Sequence, residues 1–391
     1  MTTGSSATLT RATSVWTSSV TRLAASGSRV RLLEPTAPER AAVRATVVIP
    51  CYRYGHFLEA AVSSALDQPG VNVDVIIVDD ASPDGSGDRA EEIAGRNPAV
   101  SVIRHPRNAG HIATFNDGLA AASGDYVVVL SADDLLAPGS ISRATSLMEA
   151  HPNVGLVYGR TPRFTGQPPL PTRTGAESWL VWAGRHWLAQ RCRAGRNCIF
   201  SPEAIMRTSV LRQIGGYDPI LPHTSDLAMW LQAATLADVG YVLGPEAAFY
   251  REHGQNMHSS TFEGNRGSGM VIDLRERRRT FDEVLAWADH RAPLPPDLRE
   301  QAHRALATEA LDLANRAYFW GVPDGWPVSE LVDFAVETWP EIRRSPRWRL
   351  FSVKHSLGPR WSRHNPLCLP QNVMVRAQNQ IREWRWERVG L

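Results

Sequence analysis

Asp133 and Asp134 follow Tyr126–Leu130 (YVVVL), a run made only of apolar residues. Adjacent carboxylates at a strand end repel each other and call for a positive partner. A hard divalent cation ligated by carboxylate and phosphate oxygens meets that need. It would bridge the protein to a diphosphate and neutralise charge as the phosphate leaves. Asp134 is also placed to cap a helix beginning near Gly139. Asp79 and Asp80 close a second apolar run, VDVIIV, over Val73–Val78. A carboxylate there accepts a hydrogen bond from the N–H of a pyrimidine base, although Asp-Ala-Ser-Pro-Asp-Gly is also strong turn chemistry. Tyr52, just past a third run (Thr46–Pro50, TVVIP), has a ring that stacks on a base or packs against its neighbours. Asp226 opens the helical pattern SDLAMWLQAA, where a helix N-terminus favours the ionised carboxylate. A carboxylate within about 3 Å of an acceptor hydroxyl is a general base; a capping role is the alternative. His253 and His258 lack the spacing of a two-histidine metal site on one helix face.

The elements that position these residues alternate. Short β-branched runs at 46–50, 73–78, 100–104 and 126–130 are separated by helical spacing at 57–67, 87–95 and 114–122. Continuous apolar strands between helices argue for a parallel sheet buried on both faces, with ligands bound beyond the strands' C-terminal ends. Residues 160–176, rich in Pro, Gly and Thr, read as a loop, and residues 178–192 as a helix. From about residue 265 strand patterns vanish, and helices are expected over 273–290, 297–318 and 328–344, parted by Pro-rich joints. Residues 1–44 read as a flexible tail, with a short amphipathic segment around Val20–Leu33 as the other option. The expected organisation is thus a tail (1–44), an α/β domain (45–262) and a helical C-terminal region (263–391).

The order VVIPCYRYGHFLEAAVSSAL, VDVIIVDDASPDGS and NAGHIATFNDGLAAASGDYVVVLSADDLLAPGSI resembles the nucleotide-binding half of family 2 glycosyltransferases. The similarity continues in SPEAIMRTSVLRQIGGYDP, SDLAMWLQAA and FYREHGQNMH, and covers roughly residues 45–262. The resemblance implies a GT-A fold: a Rossmann-like, mostly parallel sheet flanked by helices. It implies an inverting transfer from a nucleoside diphosphate sugar, with Mn²⁺ or Mg²⁺ as cofactor. By the same resemblance, Tyr52 matches the aromatic that stacks on the base, Asp80 the carboxylate that reads it, and Pro50 belongs with them in the nucleotide-sugar site. Asp133 lies near the ribose and donor sugar, Asp134 is the metal ligand, and Asp226 is the catalytic base. His253 matches the histidine of a Tyr-Arg-x-His element that faces the metal or diphosphate. Ser225 stands where the family commonly has Glu and Gln232 where it commonly has Arg. His111 occupies a small or basic position. These departures bear on the acceptor more than on the donor.

Other readings weigh less. Gly85–Ala90 fits G-x-G-x-x-A, but Asp79 and Asp80 would repel a pyrophosphate there and no acid follows at the required distance. His186, Cys192 and Cys198 have a loosely metal-like spacing without a Cys-x-x-Cys pair. A nucleotidyltransferase needs a Gly-rich basic loop where this chain has CYRYGHF. A non-catalytic sugar-nucleotide-binding module would not need the full set of candidate residues. The net charge of +2 and the lack of a like-charge block argue against nucleic acid. Four separated cysteines in 391 residues suit a reducing compartment rather than a disulfide framework. With neither an eighteen-residue apolar run nor a secretory leader, a cytoplasmic location is expected. The Trp/Arg-rich C-terminus fits a packed helical subdomain, an acceptor pocket, a second copy or peripheral contact with a membrane. A carboxylate that reads a pyrimidine favours a UDP- or dTDP-type donor; the acceptor is not encoded legibly.

Overall fold

The computed structural model describes residues 30–36, 43–171, 176–254, 256, 268–291, 293–318, 325–364 and 380–381. In chain order its elements are β1 (Val30–Leu33), β2 (Val43–Cys51), α1 (Gly55–Leu66), β3 (Val71–Asp79), α2 (Ser86–Arg96), β4 (Val100–Arg104), α3 (His111–Ala121), β5 (Tyr126–Val129) and β6 (Leu135–Leu136). They continue with α4 (Ser140–Ala150), β7 (Val154–Arg160), β8 (Arg163–Phe164), β9 (Ser178–Trp182), α5 (Gly184–Ala194), β10 (Ile205–Arg207), α6 (Thr208–Ile214), α7 (Ser225–Leu236), β11 (Asp238–Glu246) and β12 (Ala248–Arg251). Helices α8 (Ser268–Asp289), α9 (Leu298–Asn315), α10 (Val328–Thr338) and α11 (Pro346–His364) complete it.

Nine strands form one sheet in the order β1-β9-β11-β7-β10-β5-β2-β3-β4. Only β9 and β10 run against the rest, so the sheet is mostly parallel. Pleating sorts each central strand between two cores. Val47, Ile49, Val75 and Ile77 face one apolar cluster with Leu58 of α1, Ile93 of α2 and Leu147 of α4. Val48, Ile76 and Val78 face the other, with Leu119 of α3, Trp187 of α5 and Leu231 of α7. That alternation in an unbroken apolar run is what burial on both faces demands. The chain is therefore a helix–sheet–helix α/β fold.

The helical C-terminal region shares the second core. Phe281, Leu311, Phe334 and Phe351, from α8 to α11, belong to the same cluster as Trp187 and Leu231. Arg277 of α8 fastens the junction: its guanidinium donates to Gly195 O at 2.7 Å and to Glu309 at 3.0 Å, and pairs with Asp273 at 2.6 Å. The boundary expected at residues 262 and 263 lies outside the described residues. Among those described, no helix is long and apolar enough to cross a membrane.

Three expectations need correction. Residues 178–192 are not one helix: Ser178–Trp182 is the strand β9, antiparallel to both β11 and β1, and α5 begins only at Gly184. Trp179, Leu180, Val181 and Trp182 are all buried, two toward each core, so sheet burial on both faces outweighs the helical spacing. Val30–Leu33, expected within a flexible tail, forms the edge strand β1 on β9; residues 1–29 lie outside the described residues. The expected loop at 160–176 contains β8, which pairs with β12 in a small sheet ordered β6-β12-β8.

The β9-to-α5 corner leaves no room for a side chain. A Cβ on Gly184 would lie 2.0 Å from Ala237 O and 2.3 Å from Ala234 O, both backbone atoms. Gly184→Ala is therefore expected to destabilise the protein by about 3 kcal/mol. An unchanged denaturant midpoint would show that the corner yields freely.

Candidate functional site

The site begins where the strand order reverses. From β2 the chain steps outward to β3 and β4, then α3 crosses the opposite face and β5 returns on the other side of β2. The crevice between β2 and β5 is the switch point at which open α/β sheets bind ligands. Pro50 sits at its lip. The ladder from β2 to β5 ends with Leu130 N–H donating to Val48 O at 2.9 Å. Two residues on, by the same alternation, Pro50 faces the side where β5 has already turned away. Its missing N–H therefore breaks no bond, while on its other side the strand stays in register with Val78.

The segments after β2 and β3 hold each other. Asp80 N–H donates to Cys51 O at 3.0 Å, and Arg53 N–H to Ser82 Oγ at 3.1 Å. Arg53 and Ala81 both adopt left-handed backbone, with φ of 62° and 54°. Such strain in non-glycine residues persists only where the surroundings over-determine it, and it clusters at ligand sites. Tyr52 is exposed, with the Arg53 guanidinium 5.2 Å from its ring centroid.

Asp80 is buried, and its carboxylate anchors the 105–110 loop. Oδ1 accepts from Ala109 N–H at 2.7 Å and lies 2.8 Å from His105 Nδ1, and Oδ2 accepts from Gly110 N–H at 3.0 Å. Burial works to raise the acid's pKa. The Ala109, His105 and Gly110 hydrogen bonds outweigh it and hold the carboxyl below its ordinary value. His105 Nε2 in turn lies 3.0 Å from Asp117.

Asp133 and Asp134 lie beyond β5, both buried. The strand β12 and the turn after it close over them. Arg251 N–H donates to Asp134 Oδ1 at 2.9 Å, and Arg251 Nε to Asp133 O at 2.8 Å. The guanidinium lies between the Phe57 and Phe164 rings, 4.8 and 4.5 Å from their centroids. His253 Nε2 lies 2.9 Å from Asp133 Oδ2, and Asn256 Nδ2 donates to the same oxygen at 3.3 Å. The His253 ring rests 5.5 Å from both Tyr54 and Phe57. Burial, then the charge of Asp133, drive the Asp134 carboxyl well above its ordinary value, despite Arg251.

Asp226 occupies the first turn of α7. Its Oδ1 accepts from Leu227 N–H at 2.6 Å, and its Oδ2 from Asn197 Nδ2 at 2.8 Å. Asn197 is itself fixed, because its Oδ1 accepts from Cys198 N–H at 2.8 Å and Ile199 N–H at 3.1 Å. Burial pushes the Asp226 carboxyl up to about 6; Leu227 N–H and Asn197 oppose it, and Asp273 adds to it.

The structure thus brings Asp133, Asp134 and His253 together and sets Tyr52 beside Asp80 on adjacent strand ends. Asp226 sits on a different element from both groups, the first turn of α7. The segment running on from Asn197 links them, reaching a 3-10 turn at Ser201–Glu203 beside β12, where Phe200 packs 5.2 Å from Tyr250. Sequence reasoning missed Arg251, Asn256 and Asn197. The first two were signalled by FYREHGQN, polar residues packed around His253. Nothing near Asn197 in sequence hints at Asp226, 29 residues away.

No group of three or more His, Cys, Asp or Glu able to hold a metal is present among the described residues. That covers His186, Cys192 and Cys198, and both cysteines are buried and free, as is Cys51. The Asp133–Asp134 pair nonetheless has the chemistry a divalent cation needs: hard oxygen donors, buried, whose mutual repulsion Arg251 offsets only in part. A diphosphate would supply the remaining oxygens.

A mostly parallel sheet with acidic residues at its switch point defines an α/β fold with a ligand crevice at that edge. Residues 46–215 match the family model described as Glycosyl transferase family 2. That stretch, somewhat under half of the chain, is a family 2 glycosyltransferase domain, which makes the protein a transferase. It is 25% identical over 308 residues to an uncharacterized glycosyltransferase of Nostoc sp. (strain PCC 7120), covering 73% of this chain and 89% of the relative. It is 33% identical over 104 residues to the uncharacterized glycosyltransferase EpsJ of Bacillus subtilis, covering 27% of this chain and 30% of EpsJ. Among solved structures, residues 1–349 of S. aureus TarS in complex with UDP-GlcNAc are similar at TM-score 0.47 and 15% identity, over 77% of this chain and 92% of that one. The mannosyltransferase PcManGT of Pyrobaculum calidifontis, in complex with GDP-Man and Mn²⁺, is similar at TM-score 0.47 and 17% identity, over 87% and 90%.

The anchoring by Asp80 generates a prediction. Asp80→Asn sets an amide N–H₂ against a backbone N–H of Ala109 or Gly110, so a buried donor loses its acceptor. The expected cost is about 1–3 kcal/mol at neutral pH. Because the folded chain releases this proton more readily than the unfolded one, the Asp80 contribution is full above the unfolded value and fades as pH falls through the lowered folded value. Unfolding curves from neutral pH down to pH 3 should therefore converge for the two proteins; a constant gap would assign the loss to packing.

Proposed function

We propose that the chain is an inverting glycosyltransferase that takes its sugar from a UDP- or dTDP-type nucleoside diphosphate donor with Mn²⁺ or Mg²⁺. The observation that carries this reading is the buried Asp133–Asp134 pair, its repulsion only partly offset by Arg251, at the β2/β5 switch point. Asp134 would hold the cation, with Asp133 and His253 beside it, and the cation's chemistry is neutralisation of the departing diphosphate. Pro50 and Tyr52 offer the base an open crevice and an exposed aromatic face. Asp80 holds the adjoining loop and keeps lone pairs for a pyrimidine N–H. Asp133, positioned by His253 and Asn256, faces the ribose and donor sugar.

Asp226 serves as the base. It takes the proton of an acceptor hydroxyl as that oxygen bonds to the sugar's anomeric carbon and the bond from that carbon to the diphosphate oxygen breaks. A pKa of about 6 leaves the carboxylate mostly ionised at neutral pH yet basic enough to accept a proton. Asn197 fixes which oxygen lone pairs remain for the acceptor. The same reading assigns catalysis to residues 45–262, with 263–391 as a helical addition, in a reducing, cytoplasmic setting that suits the free cysteines.

Two experiments test this. Asp226→Asn should fold and bind nucleotide nearly normally while transfer slows on the order of 10²-fold or more. In the parent, kcat/KM should rise with pH and level off above about 6. Stability should run the other way, falling between the ordinary value of 3.8 and about 6, because the folded state holds this proton more tightly. Nucleotide affinity and rate falling together would make Asp226 structural. Separately, Asp134→Ala should abolish turnover and remove metal-enhanced nucleotide binding, and calorimetry on the parent should rank UDP and dTDP above GDP and ADP. Undiminished transfer by Asp134→Ala in EDTA would end the metal-dependent reading.

A further inference from the structure

Helix α11 turns two different faces to its surroundings. Phe351, Lys354 and Ser362 are buried on the side that meets α9 and the 3-10 turns at Arg316–Tyr318 and Pro340–Arg344. Arg349, Val353 and Leu357 follow at spacings of four along one face of the segment before Gly358, and the exposed Arg360 and Trp361 lie in the short segment after it. The apolar residues among these are open: Val353 is 52% exposed, Leu357 40% and Trp361 76%. The helix bends at Gly358, with φ of 75°, ahead of Pro359. Arg343 and Arg344, also exposed, lie just before it.

Among the described residues of this stretch, four exposed arginines (Arg343, Arg344, Arg349 and Arg360) stand against one exposed acid, Glu341, while Arg347 is paired with Asp312 and Lys354 is buried. We infer that this face docks on an anionic lipid surface. A tryptophan that open is poorly placed in water, whereas an indole sits favourably at headgroup depth. Val353 and Leu357 can bury shallowly beside it, while the arginines reach lipid phosphates through their flexible stems. A second copy of the chain fits worse: a two-fold contact on this face would press Arg349 and Arg360 against their own counterparts. The surface is separate from the Asp133, Asp134 and Asp226 sites, so the inference does not rest on the proposed catalysis.

Co-sedimentation of the full chain with vesicles tests it. Binding is expected to phosphatidylcholine mixed with phosphatidylglycerol and not to phosphatidylcholine alone, with release at high salt. Arg349→Gln and Arg360→Gln should each lower partitioning about fivefold, and Trp361→Ser combined with Leu357→Ser should reduce it to background. These side chains are exposed, so each variant should keep the parent's melting temperature. The inference is overturned by no binding to anionic vesicles, by binding these variants leave unchanged, or by binding to poly-glutamate alone. A dimer in sedimentation velocity that Trp361→Ser dissolves would equally overturn it, because a second copy would then cover the face.

Discussion

Asp133 and Asp134 place two buried carboxyl groups side by side beyond β5, and much of the surrounding structure follows from keeping them there. The unbroken apolar strand β5 delivers them to the switch-point edge of the sheet. Backbone N–H from Arg251 and side-chain groups from His253 and Asn256 take up their oxygens in part. The Arg251 guanidinium, the nearest fixed cation, is held between two phenyl rings and directs its donors at the backbone oxygens of Asp133 and Gly166. It steadies the pair without neutralising it. The residual repulsion, expressed as a carboxyl that resists ionising, is what a cation and diphosphate would relieve on binding.

Asp226 solves a different problem with the same means. A carboxylate left in water is a weak base, and one buried without partners stays protonated. Burial lifts this one, while Leu227 N–H and Asn197 limit the rise to about 6. Asn197 contributes through geometry as well. Its amide cannot flip without abandoning Cys198 N–H and Ile199 N–H, so its N–H₂ is committed to Asp226. The Asp226 carboxyl thus inherits its orientation from a segment that also packs against β12, which gives Asp226 and the Asp133–Asp134 pair a shared support.

The helical C-terminal region bears on that support. It continues the core beneath α5 and α7, the helices that flank Asn197 and carry Asp226, and Arg277 ties it to Gly195 through a buried hydrogen bond. Removing the Arg277 guanidinium would take away the partner of Asp273 at 2.6 Å and one of the two arginines that meet Glu309, which keeps Arg196 at 2.9 Å; losing one side of a buried ion pair costs more than the pair stabilises. The region is thereby structural support for the helix that carries Asp226.

The central strands were legible in the sequence because a strand buried on both faces must be mostly apolar: 126–130 is so throughout, 46–50 and 73–78 each carry one polar residue, and only the edge strand at 100–104 carries two. So were the acidic residues after β3 and β5, since polar residues directly beyond such strands have few other reasons to be there. Ser178–Trp182 was not legible: its spacing suits a helix, and only the presence of β1 and β11 on either side makes it a strand. The tail likewise hid β1, which has no structure to form until β9 is in place. Tertiary structure alone decided that Asp80 anchors the 105–110 loop, that Arg251 is turned away from the charges it adjoins, and that Asn197 meets Asp226. Each of these depends on a hydrogen bond between residues at least 25 positions apart, whose partners no local pattern names, because only the folded sheet brings those segments together.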